Sequence, residues 1–223
     1  MPLATAGTLA PEEPAVGDLL VGDLLPAPPV EAEVWDELRL PNGVPRPIWS
    51  RFLGLLPAPS ADLDRRLAQI QEQIQRDGVT HNVFGADGVA TRPWSLELLP
   101  LLIEPEDWAE IEPGLVQRAE LLEAVLADLY GARQLLHKGL LPPALLLRHP
   151  GYVRAMHGAR PAGGQRLLIV AFDIARGPDG GWWVVAQRTQ GPPGLGYVLH
   201  NRLLVSAQFP DIFREMRVQH IAS

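Results

Sequence analysis

The chain has no cysteine in its 223 residues. That absence excludes a disulfide framework, a thiolate zinc site and a cysteine nucleophile. Excess positive charge is absent too: the formal net charge is −7, and no Lys/Arg-rich cluster interrupts the sequence. Nucleic acid and anionic membrane surfaces are therefore set aside as partners. The N-terminal stretch lacks the positive and continuous apolar segments of a secretory signal, and no apolar run approaches the roughly 18 residues that span a bilayer. The expected compartment is the cytoplasm. The six histidines show no paired spacing such as H-E-x-x-H, so a zinc site has no support. A nucleophilic serine elbow and a Walker-type phosphate loop are also missing, which removes those enzyme classes. What is present is 47% hydrophobic sequence, enough for a substantial core in one sizeable domain or two small ones.

Residues 1–33 are rich in Ala and Pro and contain a direct repeat, VGDLLVGDLL, from Val16 to Leu25. With little periodic apolar surface, this stretch is expected to be a disordered tail. Residues 34–160 read as mainly helical. Two short helical pieces are expected between Trp35 and Leu56, separated by the turn signal LPNGVPRP. From Ala61 to Asp77 the residues Leu63, Leu67, Ile70 and Ile74 recur at spacings of three and four, which predicts an amphipathic helix closed by Gly78. VTHNVFGADG alternates and ends in a Gly-rich turn, as a hairpin arm does. A longer helical region follows from about Pro105 to Ala132, with a stripe of Leu115, Ala119, Leu122, Leu126 and Leu129, and Pro113-Gly114 is expected to divide it.

Residues 161–223 change character. RLLIVAFDIAR, from Arg166 to Arg176, reads as a buried strand, GPDGG as a turn, and WWVVAQRTQ as a second strand. A Gly-Pro loop and a helix from Gly196 to about Met216 complete the chain. The fold class is α+β, a helical first part followed by a hairpin and helix. Two strands alone make no stable sheet, so something else is expected to complete it.

In such a hairpin Asp173 and the residues from Ala186 to Thr189 are near neighbours across the ladder. A hard cation such as Mg²⁺ takes oxygen ligands in octahedral geometry, and proteins that present it to a nucleotide supply one or two carboxylates. Asp173 is a candidate for one; the bland alternatives are that it caps backbone groups or pairs with Arg176.

The pattern of this hairpin resembles the metal-binding hairpin of ATP-grasp enzymes. The likeness extends collinearly through VTHNVFGADGVATRPWSLELLPLLI, GLVQRAELLEAVLADLYGARQLL, LLPPALLLRHPGY and FDIARGPDGGWWVVAQRTQGPPGLGYVLHNR. In order and spacing these segments are similar to the N-terminal part of circularly permuted type 2 ATP-grasp proteins, relatives of glutathionylspermidine synthase. The resemblance implies an ATP-dependent carboxylate–amine ligase with ATP and Mg²⁺, acting on small-molecule or peptide carboxylates and amines. It implies Asp173 and Gln187 at the metal, and Arg188, Gly194 and Arg202 at the nucleotide. Many relatives carry Glu-Asp-Asn where this chain has Ala186, Gln187 and Arg188, and another branch reads Ala-Asp-Arg-Thr. Gln187 brings a carbonyl oxygen but no charge, so weaker metal binding is expected. His200 stands where relatives usually have Glu. Family chains run well past Ser223, so the fold is expected to be incomplete and the isolated chain not catalytic by itself. The competing reading is a degenerate, non-catalytic interaction module, and a third is a fragment that joins a complementing chain to rebuild the site; self-association is expected through the unfilled sheet edge.

Overall fold

The computed structural model describes residues 34–56, 60–85 and 88–221. The expected tail, residues 1–33, lies outside them, as does part of the Gly-rich turn at residues 86 and 87. The chain forms two compact units, one from residues 34–102 and 194–221, the other from Ile103–Pro193. Among the described residues no helix is long and apolar enough to cross a membrane.

The first unit holds the well-buried core. Helix α1 (Pro47–Gly54) starts on a proline, whose fixed φ suits the first helical position. It buries Trp49, Phe52 and Leu53. Helix α2 (Ser60–Arg76) presents the expected stripe, with Leu63, Ile70 and Ile74 buried and Leu67 packed against the same cluster. Gly78 ends it in a left-handed conformation, φ +66, as Val79 N returns to Ile74 O at 3.1 Å. Strands β1 (Thr80–Gly85) and β2 (Gly88–Pro93) then pair antiparallel. Of the two helical pieces expected between Trp35 and Leu56, the second is α1 and the first does not form. Asp36 Oδ1 accepts the amides of Leu38 and Arg39 at 2.8 and 2.9 Å, a local bond that competes with helix.

Helices α6 (Leu195–Gln208) and α7 (Pro210–Glu215) return to this unit and add Leu204, Val205, Phe209 and Ile212 to its core. They had been expected as one helix. Pro210 excludes the α region for the residue before it, and Phe209 accordingly sits at φ −130, ψ 51. Phe209 nevertheless packs edge-on to Phe52 at 6.3 Å and carries the Arg66 guanidinium over its ring. Trp94 donates to Asn201 Oδ1 at 2.9 Å and lies on Tyr197, whose hydroxyl donates to Thr80 O. Trp94 is thus a packing residue that docks α6.

The second unit is built on one long helix, α3 (Pro105–Leu129), with short helices α4 (Gln134–His137) and α5 (Pro143–Leu147) after it. Pro113-Gly114 does not divide α3. The proline takes one hydrogen bond from the Ala109 carbonyl, at a penalty of about 3 kcal/mol. Both Ala109 and Pro113 are exposed, so water can satisfy that carbonyl. The apolar stripe on α3 is half-buried, while Ile111 and Leu146 are the buried apolar residues among those described in this unit.

Where α3 ends, Asp128 accepts the amides of Gln134 and Leu135 at 2.8 and 3.0 Å. Arg133, left-handed at φ 54, turns the chain and donates to the Tyr152 hydroxyl. The Leu135 amide foremost, with that of Gln134, holds the Asp128 carboxyl below the usual carboxylate range. A depressed folded-state pKa adds stability above the unfolded value and loses it as pH falls through the folded one. The stability difference between wild type and Asp128→Ala should therefore be full at neutral pH and shrink under acid. Denaturant titrations from pH 7 down to pH 3 would reveal it, and a difference that did not narrow would disprove the role.

Strand β3 is shorter than its sequence promises, spanning Ala171–Arg176, and it is half-buried. Glu123 on α3 explains the trimming. Its carboxylate accepts the amides of Arg166 and Leu167 at 2.7 to 3.1 Å, which holds that segment off the ladder. Leu168 is consequently 84% exposed.

Candidate functional site

A turn that depends on glycine folds β3 back onto β4 (Trp182–Arg188). Gly177 N donates to Gly181 O at 2.8 Å and Gly180 N to Gly177 O at 2.9 Å. Gly180 has φ +84, where a side chain would be strained. Asp179 Oδ1 steadies the turn by accepting Gly181 N at 3.1 Å.

The hairpin has two unlike faces. One carries Phe172, Ile174, Trp182 and Val184, all half-buried, together with Arg176. Arg176 forms an ion pair with Asp107 on α3, and its guanidinium lies 4.3 Å above the Trp182 ring. This face is thereby anchored to the first turn of α3. The opposite face carries Ala175 and Trp183, then Asp173, Ala186 and Arg188, and Trp183 is 64% exposed.

Regular alternation from the turn would set Asp173 against Val185 and place Gln187 on the face of Asp173. The register instead shifts between Asp173 and Ile174. Ile174 pairs with Val184 and Asp173 with Ala186, which leaves Val185 as the extra residue of a β-bulge. A slip of one residue exchanges the faces beyond it. Arg188 therefore shares the face of Asp173, and Gln187 stands across from Phe172 on the other.

Asp173 and Arg188 meet as a bidentate pair. Nη1 donates to Oδ1 at 3.1 Å and Nη2 to Oδ2 at 2.6 Å, with the two side chains 57% and 43% exposed. This fork geometry is the strong form of an ion pair. It engages both carboxylate oxygens, the two atoms a divalent ion would use. Among the described residues no group of three or more His, Asp or Glu is placed to hold a metal. The donor set on this face is thus one carboxylate, with both of its oxygens engaged by the Arg188 guanidinium.

The remaining residues named from sequence belong to the first unit. Gly194, at φ +116, precedes α6, and a Cβ there would meet open space. Arg202 on α6 has its guanidinium 5.7 Å from the Phe213 ring. His200 Nε2 lies 3.5 Å from Asp77 Oδ2. The structure brings Asp173 and Arg188 together and pairs Arg176 with Asp107 rather than with Asp173. The Asp107 contact carries no local signal. The Arg188 contact was in reach of the sequence only through the register, which the bulge changes.

Residues 100–223 match the family model for circularly permuted ATP-grasp type 2. An uncharacterized protein of Mycobacterium tuberculosis is 40% identical over 191 residues, covering 82% of this chain and 22% of that one. An uncharacterized protein of Synechocystis is 28% identical over 190 residues, covering 85% of this chain and 40% of the relative. One from Mycobacterium leprae is 29% identical over 170 residues, covering 76% and 30%. The chain therefore spans between about a fifth and two fifths of the length of these relatives.

Proposed function

This chain belongs to the circularly permuted type 2 ATP-grasp family, and from that membership we propose that it supplies one part of an ATP-dependent carboxylate–amine ligase. The part is the hairpin that faces metal and phosphate, with the helical segment that carries it. In such a reaction a phosphoryl group passes to a carboxylate, and an amine then attacks the acyl phosphate. Magnesium, when bound with the nucleotide, neutralises charge on the β- and γ-phosphates. Asp173 would hold the metal. Gln187, on the other face, leaves Asp173 as the residue on which the metal reading rests. Arg188, whose planar fork matches oxyanions, would hold phosphate oxygens. The observation that carries the reading is the family match across residues 100–223, which takes in the whole hairpin and its Asp173–Arg188 pair.

We further propose that the isolated chain does not turn ATP over. Its sequence contains a single lysine, Lys138, so lysine clamping of a triphosphate needs other segments. A second reading, a non-catalytic module, is favoured by one observation: the only carboxylate on this face is already neutralised by Arg188.

Calorimetry with ATP and Mg²⁺ separates the two. The isolated chain is expected to show no micromolar binding. A chimera in which this chain replaces the matching segment of the mycobacterial relative is expected to bind, and Asp173→Ala in the chimera to abolish it. If the intact relative binds and the chimera does not, the module reading takes over.

A further inference from the structure

We propose that Arg188 is a displaceable plug on Asp173, which holds off a bare divalent cation and admits one that arrives with an oxyanion. The inference rests on the reading of Asp173 as a metal ligand and adds a condition to it. Both carboxylate oxygens are taken by the guanidinium, at 3.1 and 2.6 Å. Ala186 across the ladder and Ala175 along the strand bring no second carboxylate. A cation approaching alone must therefore displace a bidentate donor and gains a single ligand group in return, while Arg188 is left without its counter-ion.

The same cation bound to a polyphosphate meets a different balance. The guanidinium fork donates to two phosphate oxygens in the arrangement it now makes with the carboxylate. Arg188 moves from carboxylate to phosphate as the cation moves from water to carboxylate, and each charge keeps a partner throughout. Release is easy because both side chains are about half exposed, so no charge is stranded in a dry interior. Exposed ion pairs shift equilibria by up to about fivefold, which is enough to bias a weak one-carboxylate site without sealing it.

Paramagnetic broadening by Mn²⁺ in amide spectra of the ¹⁵N-labelled 223-residue chain tests this at Asp173, Ala175 and Ala186. Wild type is expected to need more Mn²⁺ than Arg188→Ala for the same broadening, by up to about fivefold. Arg188→Gln should match Arg188→Ala and, by retaining a polar side chain, separates loss of the plug from loss of the hairpin. Inorganic tripolyphosphate added with Mn²⁺ should bring wild type to the level of Arg188→Ala, and Asp173→Asn should remain unbroadened throughout. Equal broadening of wild type and Arg188→Ala by Mn²⁺ alone would overturn the plug and leave Asp173 as a ligand. No broadening in any variant would overturn the ligand reading itself. Failure of tripolyphosphate to act on wild type would overturn release by the oxyanion.

Discussion

Ile70→Ala is expected to destabilise the first unit by about 2–5 kcal/mol, the range for removing most of a buried aliphatic side chain and leaving a cavity. Ile70 has no exposed surface and sits mid-way along α2, among Leu63, Ile74 and the aromatic rings of α1 and Phe209. Against a total stability of about 5–15 kcal/mol for a typical domain, a loss of that size threatens folding at growth temperature. Ile70→Val should cost about 1 kcal/mol, and the exposed neighbour Gln71→Ala less than about 0.5 kcal/mol. Denaturant titration followed by the fluorescence of Trp49 and Trp94 gives the ranking. Equal midpoints for Ile70→Ala and Gln71→Ala would mean that the cluster around Ile70 is not the core.

Glu123→Ala is expected to destabilise the second unit by about 2–3 kcal/mol. The carboxylate does two things at once: it accepts two backbone amides, Arg166 and Leu167, and it lies 3.7 Å from Arg166 Nη1. Deleting an acceptor that leaves half-buried amides unpaired costs more than the bond alone, because their desolvation is no longer offset. Hydrogen exchange is the sharper readout. The amides of Arg166 and Leu167 should lose protection in Glu123→Ala and keep part of it in Glu123→Gln, which retains one acceptor oxygen. Unchanged exchange at both would show that the segment is held by something else.

The periodic parts of this chain were legible before any coordinates. The stripe on α2 and its Gly78 stop read correctly because both are set within a turn or two of helix. The GPDGG turn did so because Gly180 takes φ +84, where a side chain would be strained. Proline misled twice, in opposite directions. Pro113 is tolerated in α3, where the carbonyl it frees faces water, while Pro210 does break the last helix. Neither outcome is settled by the residue alone, since burial of the preceding turn decides the first and the neighbour's backbone the second. The premature start assigned to β3 has a long-range cause, a carboxylate on α3 that claims two of its amides. At the hairpin, the sequence put Asp173 close to Ala186–Thr189, and the pairing agrees. It offered Arg176 as the ion-pair alternative, whereas Asp173 pairs with Arg188 and Arg176 with Asp107.

That extra residue, Val185, works like a frameshift written in conformation instead of in nucleotides. Downstream of it every side chain is read on the opposite face, with no codon changed. A lineage that irons out the bulge would show Gln187 beside Asp173 and turn Arg188 away; one that keeps it cancels the charge of its own acid. Two hairpins with the same acids and amides can therefore differ in chemistry, and an inventory of those residues will not tell them apart.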